Sequence, residues 1–509
     1  MVIINIIVFI FVLGLVILIH EFGHFVMAKR ANILCHEFSF GMGPLLWSKR
    51  VNETLYCIRA IPIGGYVMMA GEEVDDEIVK EGDEVRLVFD DFNNIEKIIV
   101  DHENEKYEQY EKVTVKSVDL RGENNNPLHL NGYTVKRDAF YIFKKNKLQI
   151  APVERSFNSK TLKERFLAIF AGPFMNFVLA FFIFILVNLI VGFPNTDNTV
   201  IGTLQEDYPA AVSLVEGDKI IKINQVNVYS WSDISQVLDD NATDRSIEFV
   251  VLRDGQEKTY YVTPVIFFYT VGFHTKEGVT NELIIGEVNP ETNAGKAGFL
   301  EDDKILTIDG TVMNDWQDIA DKLMANIDGE TMVFEVLRNG NTVTLNVTPY
   351  NHDLVNSQGL GVVDSFVGIS PIYEFHFFKS FSASFTDIKN SAGMIFTTLD
   401  LLFSNDQVGV GDLAGPVGIY SITSRALSAG LVSFLTWTAL LSVNLGVINL
   451  LPIPALDGGR LVFLGYEAIT NKKPNRKVEN TLHYAMYIML MGLFVYITFN
   501  DILRLFNIR

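Results

Sequence analysis

With 509 residues, 49% of them hydrophobic, and a mean hydropathy of +0.22, the chain is long enough for several domains and too apolar for an ordinary soluble enzyme. A formal charge of −20 argues against nucleic acid as a partner, and about 16 of those net negative charges fall between Asn195 and Tyr350. Two cysteines, Cys35 and Cys57, cannot build a disulfide framework and lack CxxC spacing, so they read as buried or interfacial thiols rather than metal ligands.

The stretch from Val2 to Ile19 carries no charge. A membrane crossing needs about 20 apolar residues at about 1.5 Å each, so residues 1–28 are expected to form a first transmembrane helix. No cationic segment precedes the apolar run and no small-residue cleavage site follows it, which separates it from a secretory signal. At its far end stand His20, Glu21 and His24, an H-E-x-x-H pattern. Positions i and i+4 share a helix face, so both imidazoles can offer a nitrogen to one zinc ion while Glu21 sits beside it as a base. The bland alternative is three solvated side chains at a helix end. Ionisable groups at membrane depth are costly, which favours a functional reading.

Lys29, Arg30, Lys49, Arg50 and Arg59 follow, and their charge marks a cytoplasmic flank, with the N-terminus outside. Residues 29–71 set Gly and Pro between short β-prone runs, predicting a membrane-associated β-hairpin region. An exposed strand there could pair with an extended peptide of any sequence, or the region could be a connector. Residues 72–159 turn polar and acidic, with alternating runs such as KVTVKSV and an Asn-Gly turn signal, and read as a mainly β cytoplasmic insertion. A second transmembrane helix is expected over 160–194, entered past Lys160, Lys163 and Arg165. Its AGPFMNF segment places Gly172, Pro173 and Asn176 in an apolar run; these read as close-packing positions, and Asn176 needs a hydrogen-bond partner in the bundle.

An internal repeat comes next. Trp231 and Trp316, Arg253 and Arg338, and Pro264 and Pro349 all stand 85 positions apart. A period that long indicates two duplicated globular domains, 195–266 and 280–351, rather than a solenoid. VEGDKIIKI and LEDDKILTI, each followed by a short helix, resemble PDZ domains, which bind extended peptides or C-termini by strand addition. The lesser alternative is a pair of spacers that bind nothing. Residues 375–428 form an amphipathic and Gly-rich connector, whose Phe377–Ser404 part suits the outer membrane interface. Gly409 to Tyr420 lacks Lys-Ser/Thr and is no phosphate loop.

A third transmembrane helix is expected over 429–464, carrying NLLPIPALDGG. Pro452 and Pro454 break it, leaving irregular backbone that is tolerable at membrane depth only where protein or a watery cavity surrounds it. Asp457 sits there and needs a partner; a cation held by two histidines is one. Arg460, Lys472, Lys473, Arg476 and Lys477 mark a cytoplasmic loop before a fourth span, 479–503. On this topology His20 lies about 27 Å along the first span, near the inner face, at a depth similar to Asp457.

HEFGH at 20–24, FSFGMGPLLW, IPIGGYV, AGPFMNF, the paired repeats and NLGVINLLPIPALDGG at 444–459 make the chain similar to the site-2 protease family of intramembrane zinc metalloproteases, of the bacterial RseP type. The resemblance implies a multi-pass α-helical membrane protein with about four spans, a β-hairpin element and two tandem PDZ-like α+β domains. It implies Zn2+ on His20, His24 and Asp457, with Glu21 as general base and acid. It also implies that Asn449, with Asn444, bonds substrate backbone, and that the 55–68 region, including Ile61, Gly64, Gly65 and Tyr66, pairs with substrate as a strand. The substrates implied are single-span membrane proteins in the lipid bilayer, such as anti-sigma factors or signal-peptide remnants, cleaved after a first extracytoplasmic cut. The expected setting is a bacterial cell membrane, with both termini and the PDZ-like domains extracytoplasmic and the site near the cytoplasmic face. The 72–159 insertion departs from the family pattern. The rival reading is a non-catalytic PDZ-bearing membrane scaffold; a metal transporter is a third, weakened because two His and one Asp form a site but no relay across the bilayer.

Overall fold

The computed structural model describes residues 2–72, 78–122, 126–143, 146–206, 208–277, 279, 282–290 and 292–505. Of the expected acidic insertion, residues 73–77, 123–125 and 144–145 therefore lie outside the described residues. The chain divides into two compact units: residues 1–187, 382–395 and 411–509 form one, and residues 188–381 and 396–410 the other.

In the first unit four helices are long and apolar enough to cross a membrane, over Ile3–Arg30, Leu162–Val191, Leu431–Leu450 and Lys477–Arg504. The helices are α1 (Val2–Arg30), α2 (Leu162–Val191), the middle of α3 (Phe377–Ser404), α4 (Pro416–Ser428), α5 (Leu431–Leu450), α6 (Asp457–Thr470) and α7 (Arg476–Leu505). Small residues let them approach: a Cβ on Gly23 would stand 2.1 Å from the Ala171 carbonyl oxygen, so α1 and α2 cross with their backbones nearly touching. Ala180 and Phe184 of α2 pack against Ala439 and Val443 of α5, with Ile388, Ala392 and Ile395 of α3 beside them.

The expected third span is two helices rather than one. Pro452 and Pro454 cannot donate backbone hydrogen bonds, so α5 stops at Leu450 and α6 starts afresh at Asp457. Gly458 and Gly459 permit the sharp return: a Cβ on Gly458 would overlap the Leu451 carbonyl oxygen at 2.1 Å, and one on Gly459 the Ile453 oxygen at 2.4 Å.

The 35–69 region is one long, twice-folded ribbon. Its strands, Cys35–Val51 and Thr54–Met69, cross-pair so that 45–51 lies beside 54–59, 55–58 beside 37–40, and 37–40 beside 65–69. Residues 65–69 thus form an outer strand, paired on one side. Beyond it, residues 84–149 build a seven-stranded sheet in the order 111–114, 84–89, 95–99, 133–143, 129–130, 118–119, with 146–149 also along 133–143. Val85, Leu87, Ile95, Ile98, Leu130 and Val135 fill its core. Its Asn131-Gly132 hairpin turn has both residues at positive φ, 52° and 86°, as a tight two-residue β-turn demands.

The second unit carries the two repeats, each a four-stranded sheet with a helix: Lys219–Ile223, Val226–Asn227, Ile247–Arg253 and Gln256–Val262 with Trp231–Asp240, then Lys304–Ile308, Thr311–Val312, Met332–Arg338 and Asn341–Val347 with Trp316–Ala325. A side-chain cap starts each helix, Ser230 in one and Asp315 in the other. The 85-residue offset extends to a buried ion pair, Asp218 with Arg253 at 2.7 Å and Asp303 with Arg338 at 2.6 Å.

The boundaries 195–266 and 280–351 need correction. Strand Ile201–Leu204 of the first repeat pairs with Ile369–Pro371, and Val367 and Ile369 pack with its core. The second repeat's core includes Ile266, Phe268, Val271 and Phe273, with Val265–Phe268 paired to Val363–Phe366. The second domain is therefore nested inside the first. Self-alignment finds the shared middle of each copy and misses the closing strands, which have no counterpart at the same offset.

Candidate metal centre and active site

His20 and His24 lie one turn apart on α1, and the break between α5 and α6 brings Asp457 to them. Asp457 Oδ2 stands 3.1 Å from His20 Nε2 and 3.3 Å from His24 Nε2, and the two Nε2 atoms are 3.1 Å apart. Both histidines are buried. Among the described residues this is the one group of three or more potential metal-ligating side chains whose ligand atoms lie within 4.8 Å of one another.

The donor set fits a zinc ion. Asp457 Oδ2 is buried and accepts no hydrogen bond of good geometry. His24 Nδ1 lies 2.8 Å from the Ala168 carbonyl oxygen, so that nitrogen carries the proton and Nε2 keeps its lone pair. His20 Nδ1 lies 3.2 Å from the Asn176 amide nitrogen, while Asn176 Oδ1 is buried without a partner. Turning that amide by 180° lets Oδ1 accept from His20 Nδ1–H, which gives the buried oxygen a partner and again leaves Nε2 as a lone pair. Two imidazole lone pairs and a carboxylate oxygen then face one point, with none able to donate to the others. A cation satisfies all three, and this is a three-ligand zinc set that keeps a fourth position open.

Glycines set the spacing around this point. A Cβ on Gly172 would run into the His24 ring at 2.2 Å, so α2 can lie against the imidazole only without a side chain there. Gly65 of the outer strand does the same for Glu21, whose Cγ would stand 3.2 Å from an added Cβ. A cavity of about 490 Å³ opens here, lined by His20, Glu21, His24, Asp457, Asn449 and Tyr66 together with residues 67–69.

Of the residues expected at the substrate, Asn449 and Tyr66 reach the cavity wall and Gly65 abuts Glu21. Tyr66 donates its hydroxyl to Glu37, 2.7 Å away. The structure does not bring Ile61, Gly64 or Asn444 to the wall. Ile61 pairs with Met42 and Gly64 has φ +99°, both preceding the 65–69 part of the strand that borders the cavity, and Asn444 on α5 is not among the lining residues. The 55–68 stretch lies within the single bent strand Thr54–Met69, and only its 55–58 part is paired on both sides.

Two supporting interactions were not read from the sequence. Asn176 was expected to bond within the bundle, with no indication that its partner is His20. Arg165 grips Glu467 of α6 with two bonds, 3.0 and 2.7 Å, tying the helix that begins with Asp457 to α2. The mid-span position of Asn176 and the lone acid of α6 after Asp457 were the available signals.

Comparison with known proteins agrees with the geometry. The sequence profile described as peptidase family M50 matches residues 8–493. The zinc metalloprotease RasP of Bacillus licheniformis is 35% identical over 510 residues, covering 99% of each chain. The Geobacillus kaustophilus protein of the same name is 31% identical, over 99% of this chain and 98% of its own. The regulator of sigma-W protease RasP of Bacillus subtilis is 32% identical, again over 99% of each.

Proposed function

The chain belongs to peptidase family M50 and is an intramembrane zinc metalloendopeptidase of the site-2 protease type in a bacterial membrane; we propose that His20, His24 and Asp457 are its zinc ligands and Glu21 its general base and acid. The convergence of Asp457 Oδ2 on the two Nε2 atoms carries this reading.

Zinc, when bound, supplies Lewis acidity that polarises a carbonyl and makes water nucleophilic near neutral pH. Glu21 takes the proton released by the attacking water and returns it to the leaving amine. A scissile bond inside a helix is protected by its own hydrogen bonds, so the substrate must unwind there. The outer strand 65–69, beside Glu21, offers main-chain groups that replace those lost, and Asn449 adds a side-chain amide at the same wall.

The substrates we propose are single-span membrane proteins already trimmed outside, anti-sigma factors among them, in keeping with the sigma-W regulator named for the Bacillus subtilis relative. The two nested repeats are PDZ-like domains, and they and both termini face the exterior, because basic clusters follow α1 and precede α2. The site then lies near the cytoplasmic face. The two nested domains, residues 199–371, discriminate against untrimmed ectodomains; their deletion should let full-length substrates be cut as fast as trimmed ones.

The deciding experiment pairs metal analysis with cleavage of a model transmembrane peptide. Glu21→Gln should retain one zinc per chain and lose cleavage, whereas Asp457→Ala should lose both. A Glu21→Gln protein that still cleaves at the wild-type rate would overturn the assignment of the base. A non-catalytic scaffold would tolerate both changes.

A further inference from the structure

The loop between α5 and α6 holds Asp457 in place under an unusual constraint. Ala455 has φ +82°, in the left-handed region where a side chain costs free energy and glycine is the ordinary choice. Its neighbours Pro452 and Pro454 have no N–H, so the loop makes few bonds of its own: Ile453 N–H donates to Leu451 O at 2.7 Å and Leu456 N–H to Ile453 O at 3.1 Å. The Ala455 N–H instead leaves the loop and donates to His483 Nδ1, 2.8 Å away on α7. His483 is half-buried, its ring centroid 5.7 Å from that of Phe463 on α6.

We propose that His483 is a positioning residue for the metal centre: by accepting the Ala455 N–H at Nδ1 it keeps the strained turn that delivers the Asp457 carboxylate two residues later. Without that acceptor the Ala455 N–H loses its bond and the residue is free to relax to negative φ. The backbone entering α6 would then rotate, and Asp457 Oδ2 would leave the point on which the histidines converge. Accepting at Nδ1 requires the neutral ring with its proton on Nε2. This role ties the fourth span, whose surface is otherwise largely exposed, to the geometry of the site. It rests on the assignment of Asp457 as a zinc ligand.

The test uses the full-length protein in detergent, with cobalt(II) in place of zinc as a spectroscopic probe, and three variants. His483→Phe keeps an aromatic ring beside Phe463 and removes the acceptor; His483→Asn places a carbonyl oxygen near the position of Nδ1; His483→Gln places its amide near Nε2 instead. The expected result for Phe is a kcat lowered by about 10- to 100-fold with KM little changed, faster cobalt loss to a chelator, and an altered visible absorption of the bound cobalt. Asn should restore most of the rate and the wild-type spectrum, and Gln should not. A Phe variant with wild-type kcat and cobalt spectrum would overturn the proposal, and so would Gln performing as well as Asn. Should Phe fail to fold, the Asn and Gln pair decides. Asp457→Ala serves as the reference: if it binds cobalt with the wild-type spectrum, the ligand assignment itself falls, whereas loss of cobalt there with unchanged His483 variants sinks only the positioning role.

Discussion

Asp457 Oδ2 meets His20 Nε2 at 3.1 Å, although the two residues come from opposite ends of the chain. Two imidazoles and a carboxylate held this close gain from a cation and lose when it goes. A ligand present at about 100 times its dissociation constant stabilises the folded state by about 2.7 kcal/mol. Chelation should therefore lower the thermal midpoint of the helical unit, and re-addition of zinc should restore it. In Asp457→Ala the midpoint should be indifferent to chelator. Equal chelator sensitivity in both proteins would locate the metal effect elsewhere.

Asn176 gives a second prediction, because its amide fixes which nitrogen of His20 carries the proton. Removal of such an outer partner costs about 10- to 100-fold in metal affinity or activity. Asn176→Ala should weaken zinc binding by that factor while α2 stays joined to α5, since Ser442 Oγ bonds the Asn176 backbone oxygen and not its side chain, and while α1 and α2 keep their close approach at Gly23 and Ala171. Competition with a metal-sensitive dye would measure it. An unchanged affinity would mean that His20 is oriented by packing alone.

Arg165 and Glu467 are both nearly buried and joined by two hydrogen bonds, so the third prediction is asymmetric. Arg165→Met strands a buried carboxylate and should destabilise the protein by about 3–5 kcal/mol. Arg165→Met with Glu467→Met removes both charges and should recover most of that loss. Thermal midpoints of the two single variants and the double variant test this. If the double variant is no better than Arg165→Met, the pair contributes through shape rather than charge.

The residues themselves explain why some of this was legible and some was not. His20, Glu21 and His24 announce their joint use because helix periodicity alone puts them on one side, and the four helices long and apolar enough to cross a membrane follow from long uncharged runs. Asp457 was readable because a carboxylate beside two helix-breaking prolines at the end of a span calls for a partner. The distinction between 55–58, paired on both sides, and 65–69, paired on one, was not readable. It depends on the ribbon folding back twice, and β-propensity is the same for an inner and an outer strand. The nesting of the repeats escaped for a related reason: Ile369 joins the first core through a strand pairing that skips the whole second domain.

The second unit supplies the last prediction. The Asp218 side chain is fully buried; burial pushes its carboxyl up, but Arg253 and the Val215 N–H overcome this and hold it below the ordinary carboxylate range. A carboxyl lowered on folding contributes stability that is complete above its unfolded value of about 3.9 and is lost as the pH falls through its lower folded value. Amide protection in the strand Ile247–Arg253 should therefore be steady near neutral pH and decline as the pH drops below about 4. Arg253→Met should lower protection already at neutral pH, because it leaves a buried carboxylate without its cation, and should flatten the acid dependence. Hydrogen exchange followed by mass spectrometry on the full-length protein reads both effects from the same peptides. An acid profile that is identical in wild type and Arg253→Met would show that other groups govern the acid response of this domain.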